Sequence, residues 1–301
     1  MNEATERIRA VLVGVDTYER PEIPSLRGCV NDVVLVRRVL KRYFGVPNDD
    51  IRVVVNARAT KANILHRLDA SIRRCRPGDV LVFYFSGHGS QIRDRDGDEL
   101  SDALDEIICP YDMSWDDGQF IRDDDLACVF DSVPPGVLLE AFFDCCFWGA
   151  GPRGVEAEPR PQALRADLRW LAPPLDIAAR SEGDEARLAY HALSECARFG
   201  DTHVYWGASH EGQLSAEDSF EGRTHGIFTY WACRFIEDNV DALGVWGYSR
   251  EQLIDELRDY LRSLAYGQYP ELSAPDDLRA IAPFRLRAES RSWAEAGDRP
   301  G

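Results

Sequence analysis

Lysine is almost missing from this chain. Only Lys41 and Lys61 occur, so 33 of the 35 basic residues (35 − 2) are arginine. Positive charge is also in deficit: 52 acidic residues leave a formal net charge of −17, which disfavours phosphate backbones and anionic bilayers and favours cationic peptides or divalent metal. No nucleic-acid or membrane partner is expected. No apolar run approaches the ~18 residues a membrane helix needs. The opening MNEATERIRA is charged rather than signal-like, so a cytoplasmic location is expected. The eight cysteines include no CxxC pair, and adjacent Cys145 and Cys146 are badly placed to bridge each other. Neither a disulfide framework nor a zinc ribbon is expected. Internal repeats are absent too.

What the chain does have is a succession of short apolar runs that end in polar or small residues. Residues Arg9 to Val15, Ile51 to Val55, Val80 to Phe85, Val137 to Phe143 and His203 to Ala208 read as strands, with a further strand at Phe284 to Leu286. Helices fall between them. One starts at Cys29, with Val30, Val33, Val34, Leu40 and Tyr43 inward, and stops at Gly45 and Pro47. A second runs from Thr60 to Arg74, a third covers Gly226 to Ile236, and Ser249 with Gln252 forms a capping box for a fourth. Alternation of this kind predicts an α/β fold with a mainly parallel sheet of about six strands and helices on both faces. No Gly-rich phosphate loop follows the first strand, which argues against a nucleotide-binding member of that class.

Two of these strands stop at residues that carry chemistry. VLVFYF delivers Ser86-Gly87-His88-Gly89, and VLLEAFF delivers Asp144-Cys145-Cys146. Carboxyl ends of strands are where open α/β sheets build sites. A histidine flanked by glycines leaves room for close backbone approach and free amides, and a thiol just past a strand, beside an acid, suits an exposed nucleophile. The pair reads as a Cys/His nucleophilic site. Beyond His88 two acidic stretches, Asp94 to Glu106 and Asp112 to Asp125, hold too many carboxylates for a core. DRDGDELSD imitates part of an EF-hand, but Gly97 comes too early and no bidentate Glu follows at the right spacing.

The segments LRGCVND, PGDVLVFYFSGHGSQ, DRDGDE followed by LDE, IRDDDL, FFDCCFWG, GASHEGQLSAE and GIFTYW together resemble the metacaspases, caspase-like cysteine peptidases, in the family's order from about Val11 to Leu286. The resemblance implies a caspase-like fold. Residues 1–150 would be the large-subunit-like part carrying His and Cys, 151–198 a Pro/Arg/Ala-rich surface insertion, 199–288 the small-subunit-like part, and 289–301 a loose tail. It also implies roles: His88 and Cys146 catalytic, the Gly89 and Cys146 amides an oxyanion hole, and Cys29, Asp32, Ser86 and Asp144 the pocket for the side chain before the cut. Two carboxylates there suit a guanidinium, so cleavage after Arg or Lys is implied. Phe147 and Trp148 depart from the family's usual His-Ser beside the nucleophile.

The chemistry needs no cofactor, but calcium activation through Asp105, Asp123 and Asp124 is implied by several family members. One further family aspartate has no counterpart in GAGPR. Protein or peptide substrates, a monomeric state and an upstream activator protein follow from the same resemblance. Arg153, Arg160, Arg165, Arg169, Arg180 and Arg187 lie on the insertion, expected to be accessible and open to self-processing. The competing reading is a catalytically silent caspase-like module that binds partners, favoured by the Phe147-Trp148 departure.

Overall fold

The structure is a computed structural model and describes residues 7–93, 104–115, 119–146, 167–174, 202–209, 215–239 and 248–285. A six-stranded sheet forms its centre. Strands β1 (Ile8–Gly14), β2 (Ile51–Val55), β3 (Val80–Ser86), β7 (Leu138–Asp144), β9 (His203–Gly207) and β12 (Glu271–Ser273) lie in the order β12-β9-β7-β3-β1-β2. All neighbours are parallel except β12, which runs antiparallel along β9.

Apolar runs in this sheet are continuous because both faces are covered. Ala10, Leu12, Val82 and Tyr84 join a cluster with Val33, Val36 and Leu40 of helix α1 (Cys29–Tyr43), Phe228 of α4 (Ile227–Asp238) and Leu253 and Leu257 of α5 (Arg250–Ser263). Val11, Val13, Leu81, Phe83 and Phe85 point the other way. They pack with Ile64, Leu68 and Ile72 of α2 (Lys61–Ile72) and with Leu126 and Phe130 of α3 (Asp123–Phe130). A short α6 (Asp276–Arg279) follows β12. The mainly parallel sheet with helices on both faces is thus as expected.

Helix starts are set by local side chains. Thr60 accepts from the Asn63 amide, and Ser249 and Gln252 cap each other's backbone as the capping box requires. At α1 the cap comes from outside: Asp16, two residues past β1, accepts from the amides of Cys29 (2.8 Å) and Val30 (3.3 Å). Gly14 allows that approach, since a β-carbon there would sit 2.7 Å from the Cys29 carbonyl.

Three details differ from expectation. Val34 is exposed and Val36 and Val39 face the core instead, because the buried stripe of α1 follows the 3.6-residue period from Val33. The last strand is Glu271–Ser273 rather than Phe284 to Leu286; Phe284 has φ of 60° and donates its amide to Glu140, while Leu286 lies outside the described residues. The acidic stretch after His88 is not all loop, for β4 (Gly89–Arg93), β5 (Leu104–Ile108) and β6 (Ile121–Arg122) form a small antiparallel sheet. A second small sheet contains β8 (Asp167–Leu168), β10 (Ala216–Phe220) and β11 (Arg223–Gly226).

Glu140, in the middle of β7, is fully buried and ties the carboxyl-terminal elements to the sheet. Its oxygens accept from Arg250 Nε (2.9 Å) and Nη2 (3.0 Å), Trp206 Nε1 (3.0 Å) and the Phe284 amide (2.7 Å). Removing the cation leaves this carboxylate buried without its charge partner. Arg250→Leu is therefore expected to lower unfolding stability by about 3–5 kcal/mol, measured by denaturant titration.

Candidate active site

Register brings the chemistry together. Ser86 of β3 pairs with Gly14 on one side and with Asp144 of β7 on the other, so three strand ends stop at one level. His88 and Cys146 each lie two residues beyond that level, on adjacent strands. Their backbones touch: a β-carbon on Gly89 would collide with the Cys146 carbonyl, which explains why glycine must follow the histidine.

The His88 ring is fixed from two sides. Tyr18 stacks on it with centroids 5.3 Å apart, and the Tyr18 hydroxyl accepts from the His88 amide at 2.9 Å. Nε2 lies 2.8 Å from the Pro24 carbonyl. A carbonyl can only accept, so the proton sits on Nε2, and Nδ1, buried without a hydrogen-bond partner among the described residues, keeps a bare lone pair. Burial pushes the imidazole below its ordinary range, opposed by the Pro24 carbonyl; the Arg169 charge adds to the fall and the Arg169 backbone opposes it. The balance favours the neutral ring.

Cys146 is buried rather than exposed, contrary to expectation. The cause is the chain itself. Leu168 and Asp167 pair antiparallel with Ala216 and Glu217 of β10, and the Arg169 amide donates to the Ser215 carbonyl at 3.0 Å. The Arg169 carbonyl oxygen then accepts from the amides of Gly89 (2.9 Å) and Cys146 (3.4 Å), and the Leu171 amide returns to the Gly89 carbonyl (3.0 Å). The Cys146 thiol donates to the Ser215 carbonyl (3.1 Å), and its sulfur accepts the Ser215 amide (2.9 Å). Loss of solvent pushes the thiol up to about 12.

Arg169 was expected on an accessible surface, yet it is fully buried, because acids drawn from three elements surround it. Nη2 lies 2.7 Å from Asp32 Oδ2 and 3.6 Å from Glu217 Oε2, and Nη1 lies 2.9 Å from Asp144 Oδ1. Asp32 also accepts from Ser86 Oγ (3.0 Å), the Gly226 amide (3.1 Å) and His225 Nδ1 (3.0 Å). Asp144 is held by Ser215 Oγ (2.9 Å) and the Thr229 amide (3.2 Å). Burial raises the carboxyls of Asp144 and Glu217, and the Arg169 cation opposes it in both. Gly226 forms the wall behind the guanidinium; a β-carbon there would collide with Asp144 and lie 2.8 Å from Arg169 Cζ.

Asp32, Ser86 and Asp144 thus converge as a pocket, and Cys29, buried at the start of α1, lies close enough for the Arg169 charge to act on its thiol. Gly89 and Cys146 present their amides to one oxygen. Of the residues named for calcium, Asp123 and Asp124 open α3, and the side chain of Asp105 on β5 lies outside the described atoms. Among the described residues no group of three or more His, Cys, Asp or Glu is arranged to hold a metal. Phe147, Trp148 and the other arginines of the insertion fall outside the described residues.

A sequence profile described as "Metacaspase, peptidase C14 domain" matches residues 8–151, a span that includes both strand-end motifs. Metacaspase-1 of Sclerotinia sclerotiorum is 29% identical over 95% of this chain and 69% of its own length. Metacaspase-1 of Coccidioides immitis is 28% identical over 92% of this chain and 63% of its own length. The chain is thus similar to the metacaspases, most directly over residues 8–151. Two solved structures support a caspase-like fold for this chain. A Geobacter sulfurreducens protein superposes with TM-score 0.64 at 19% identity, covering 93% of this chain and 99% of that one. Caspase-1 from Spodoptera frugiperda gives TM-score 0.56 at 12% identity, covering 90% of this chain and 89% of its own. These likenesses support a cysteine peptidase of the caspase-like type.

Residue-by-residue reading of the metacaspase motifs missed Glu217, Ser215, His225, Gly226, Thr229, Tyr18 and Pro24. GASHEGQLSAE and GIFTYW contained a signal for four of them, Ser215, Glu217, Gly226 and Thr229, since a buried strand-and-helix junction holding Ser, Glu and Thr needs a polar partner. Tyr18 and Pro24 sat in a loop with no such mark. Because the covering segment dries the thiol, Arg169→Ala, which unseats that segment, is expected to bring labelling of Cys146 by iodoacetamide to lower pH, the regained solvent outweighing the lost cation.

Proposed function

We propose that this protein is a metacaspase-type peptidase that hydrolyses peptide bonds following arginine, with Cys146 as nucleophile and His88 as acid and base, and that its own insertion is a substrate. One observation carries this reading: residues 167–171 lie across the site as a substrate would, guanidinium among carboxylates and carbonyl between two amides. His88 Nδ1 takes the thiol proton, and the thiolate attacks the carbonyl carbon of the residue before the cut. Negative charge developing on the carbonyl oxygen meets the Gly89 and Cys146 amides, which need not reorganise. The carbon-nitrogen bond breaks, His88 returns its proton to the leaving amine, and water hydrolyses the thioester to a carboxylate and a free thiol. In the covering segment the bond in register is Arg169–Trp170, a bond of the same chain.

The silent-module reading has a weaker basis. A binding module has no use for a tautomer-fixed histidine beside a thiol and paired amides, so the enzyme reading is favoured. Fluorogenic peptides ending in Arg, Lys or Asp, incubated with calcium or chelator, separate the two. Arg peptides are expected to be cut at least about 100-fold faster than Asp peptides, since an acid entering this pocket would meet three carboxylates. Cys146→Ala should remove the activity. Purified full-length protein should accumulate a fragment beginning at Trp170, and Arg169→Ala should abolish that cut. Equal turnover of Asp and Arg peptides, or the same fragment from Cys146→Ala protein, would contradict the reading.

A further inference from the structure

We propose that Glu217 is the residue that makes this pocket select arginine over lysine, an inference that rests on the basic-residue reading above. The guanidinium of Arg169 is held only by its two tips. Nη1 faces Asp144, donating to its backbone carbonyl at 3.0 Å as well as pairing with its side chain, and Nη2 stands between Asp32 and Glu217. Nε has no hydrogen-bond partner among the described residues, so nothing upstream of the fork contributes a polar contact. Selection must therefore act at the tips.

Lysine has one terminal nitrogen where arginine has two, and it ends about where Cζ would be. An ammonium drawn to Asp32 and Asp144, the two acids in close contact with the fork at 2.7 and 2.9 Å, would stop short of the more distant Glu217, 3.6 Å from Nη2. With lysine bound, its carboxylate would stay buried with only backbone donors, an uncompensated charge of the kind proteins avoid. Arginine reaches all three acids; lysine reaches two.

The acid cannot move to follow a shorter cation. Its Oε1 accepts from the Arg27 amide (2.8 Å) and its Oε2 from the Gly28 amide (2.9 Å), the turn that leads into α1. Gly28 leaves space for this grip, as a β-carbon there would lie 2.8 Å from Oε2. Asp32 and Asp144 are likewise fixed by neutral donors on other elements. A rigid three-acid socket discriminates by length and by the number of donors offered, whereas a flexible one would close on either side chain. Glu217 also pairs through its backbone with Asp167, so it belongs to the strand along which the covering segment lies.

A purely structural role for Glu217, holding the 27–28 turn, predicts equal losses for both cations. The test uses full-length protein and two measurements. First, kcat/KM is determined for matched peptides with Arg or Lys before the cut, in wild type and Glu217→Gln. The Arg-to-Lys ratio is expected to fall about tenfold in the variant, the worth of one buried ion-pair contact at 3.6 Å, mainly through KM for the Arg peptide. Second, Kd values for the same two peptides are measured by calorimetry on Cys146→Ala/Arg169→Ala protein, with and without Glu217→Gln. That readout needs no catalysis: a preserved Arg preference lost with Glu217 supports the proposal even if hydrolysis is absent, which would instead count against the peptidase reading. Glu217→Asp, keeping charge on a shorter arm, should retain part of the preference and guards against a Gln variant that fails to fold. An unchanged ratio, or equal loss for Arg and Lys peptides, would overturn the proposal.

Discussion

Three carboxylates cannot stay together in a space without water unless a cation stands among them. Asp32, Asp144 and Glu217 come from α1, β7 and β10, elements far apart in sequence, and the Arg169 guanidinium is what lets them share one socket. The arrangement around the thiol depends on this. Once the guanidinium is seated, the Arg169 carbonyl has to fall between the Gly89 and Cys146 amides, and the residues before it have to lie along β10. Charge at the bottom of the pocket thereby sets the geometry of a peptide bond at its mouth.

The sheet makes this possible by registering strand ends rather than by supplying reactive groups. Ser86 and Asp144 are direct neighbours, so β3 and β7 each bring a residue of the acidic pocket at the strand end and, just beyond it, His88 or Cys146. Pocket and chemistry share the same two strands, and they cannot drift apart without breaking the sheet. The Pro24 carbonyl and Tyr18, from the loop after β1, then fix the tautomer and plane of the imidazole. A third strand end thus supports the other two.

How much of this was legible in the sequence follows from what kind of force places each residue. The central strands were plain because burial on two faces demands uninterrupted apolar runs, and the helix starts were plain at Thr60 and Ser249 because capping is local. Strand β12 was invisible: ELS carries no pattern, and pairing with β9 alone makes it extended. His88, Cys146, Asp32 and Asp144 could be singled out because each follows or opens a regular element. Arg169 could not. An arginine in a segment rich in Pro, Ala and Arg reads as solvated surface, and only three acids brought together by tertiary structure give it a reason to be inside. Glu217 was hidden for the matching reason, since its partner lies on the segment taken for surface.

The covering segment also has a use as a chemical template. From Asp167 to Leu171 it gives the path of an occupant on both sides of the bond, with Leu168 largely exposed and Leu171 buried. A synthetic ligand copying its first three residues and ending in an electrophilic carbonyl in place of Trp170 would set that carbonyl between the two amides beside the thiol. Affinity would come from the buried cation, while the outward-facing leucine position could carry a dye or a linker without entering the socket.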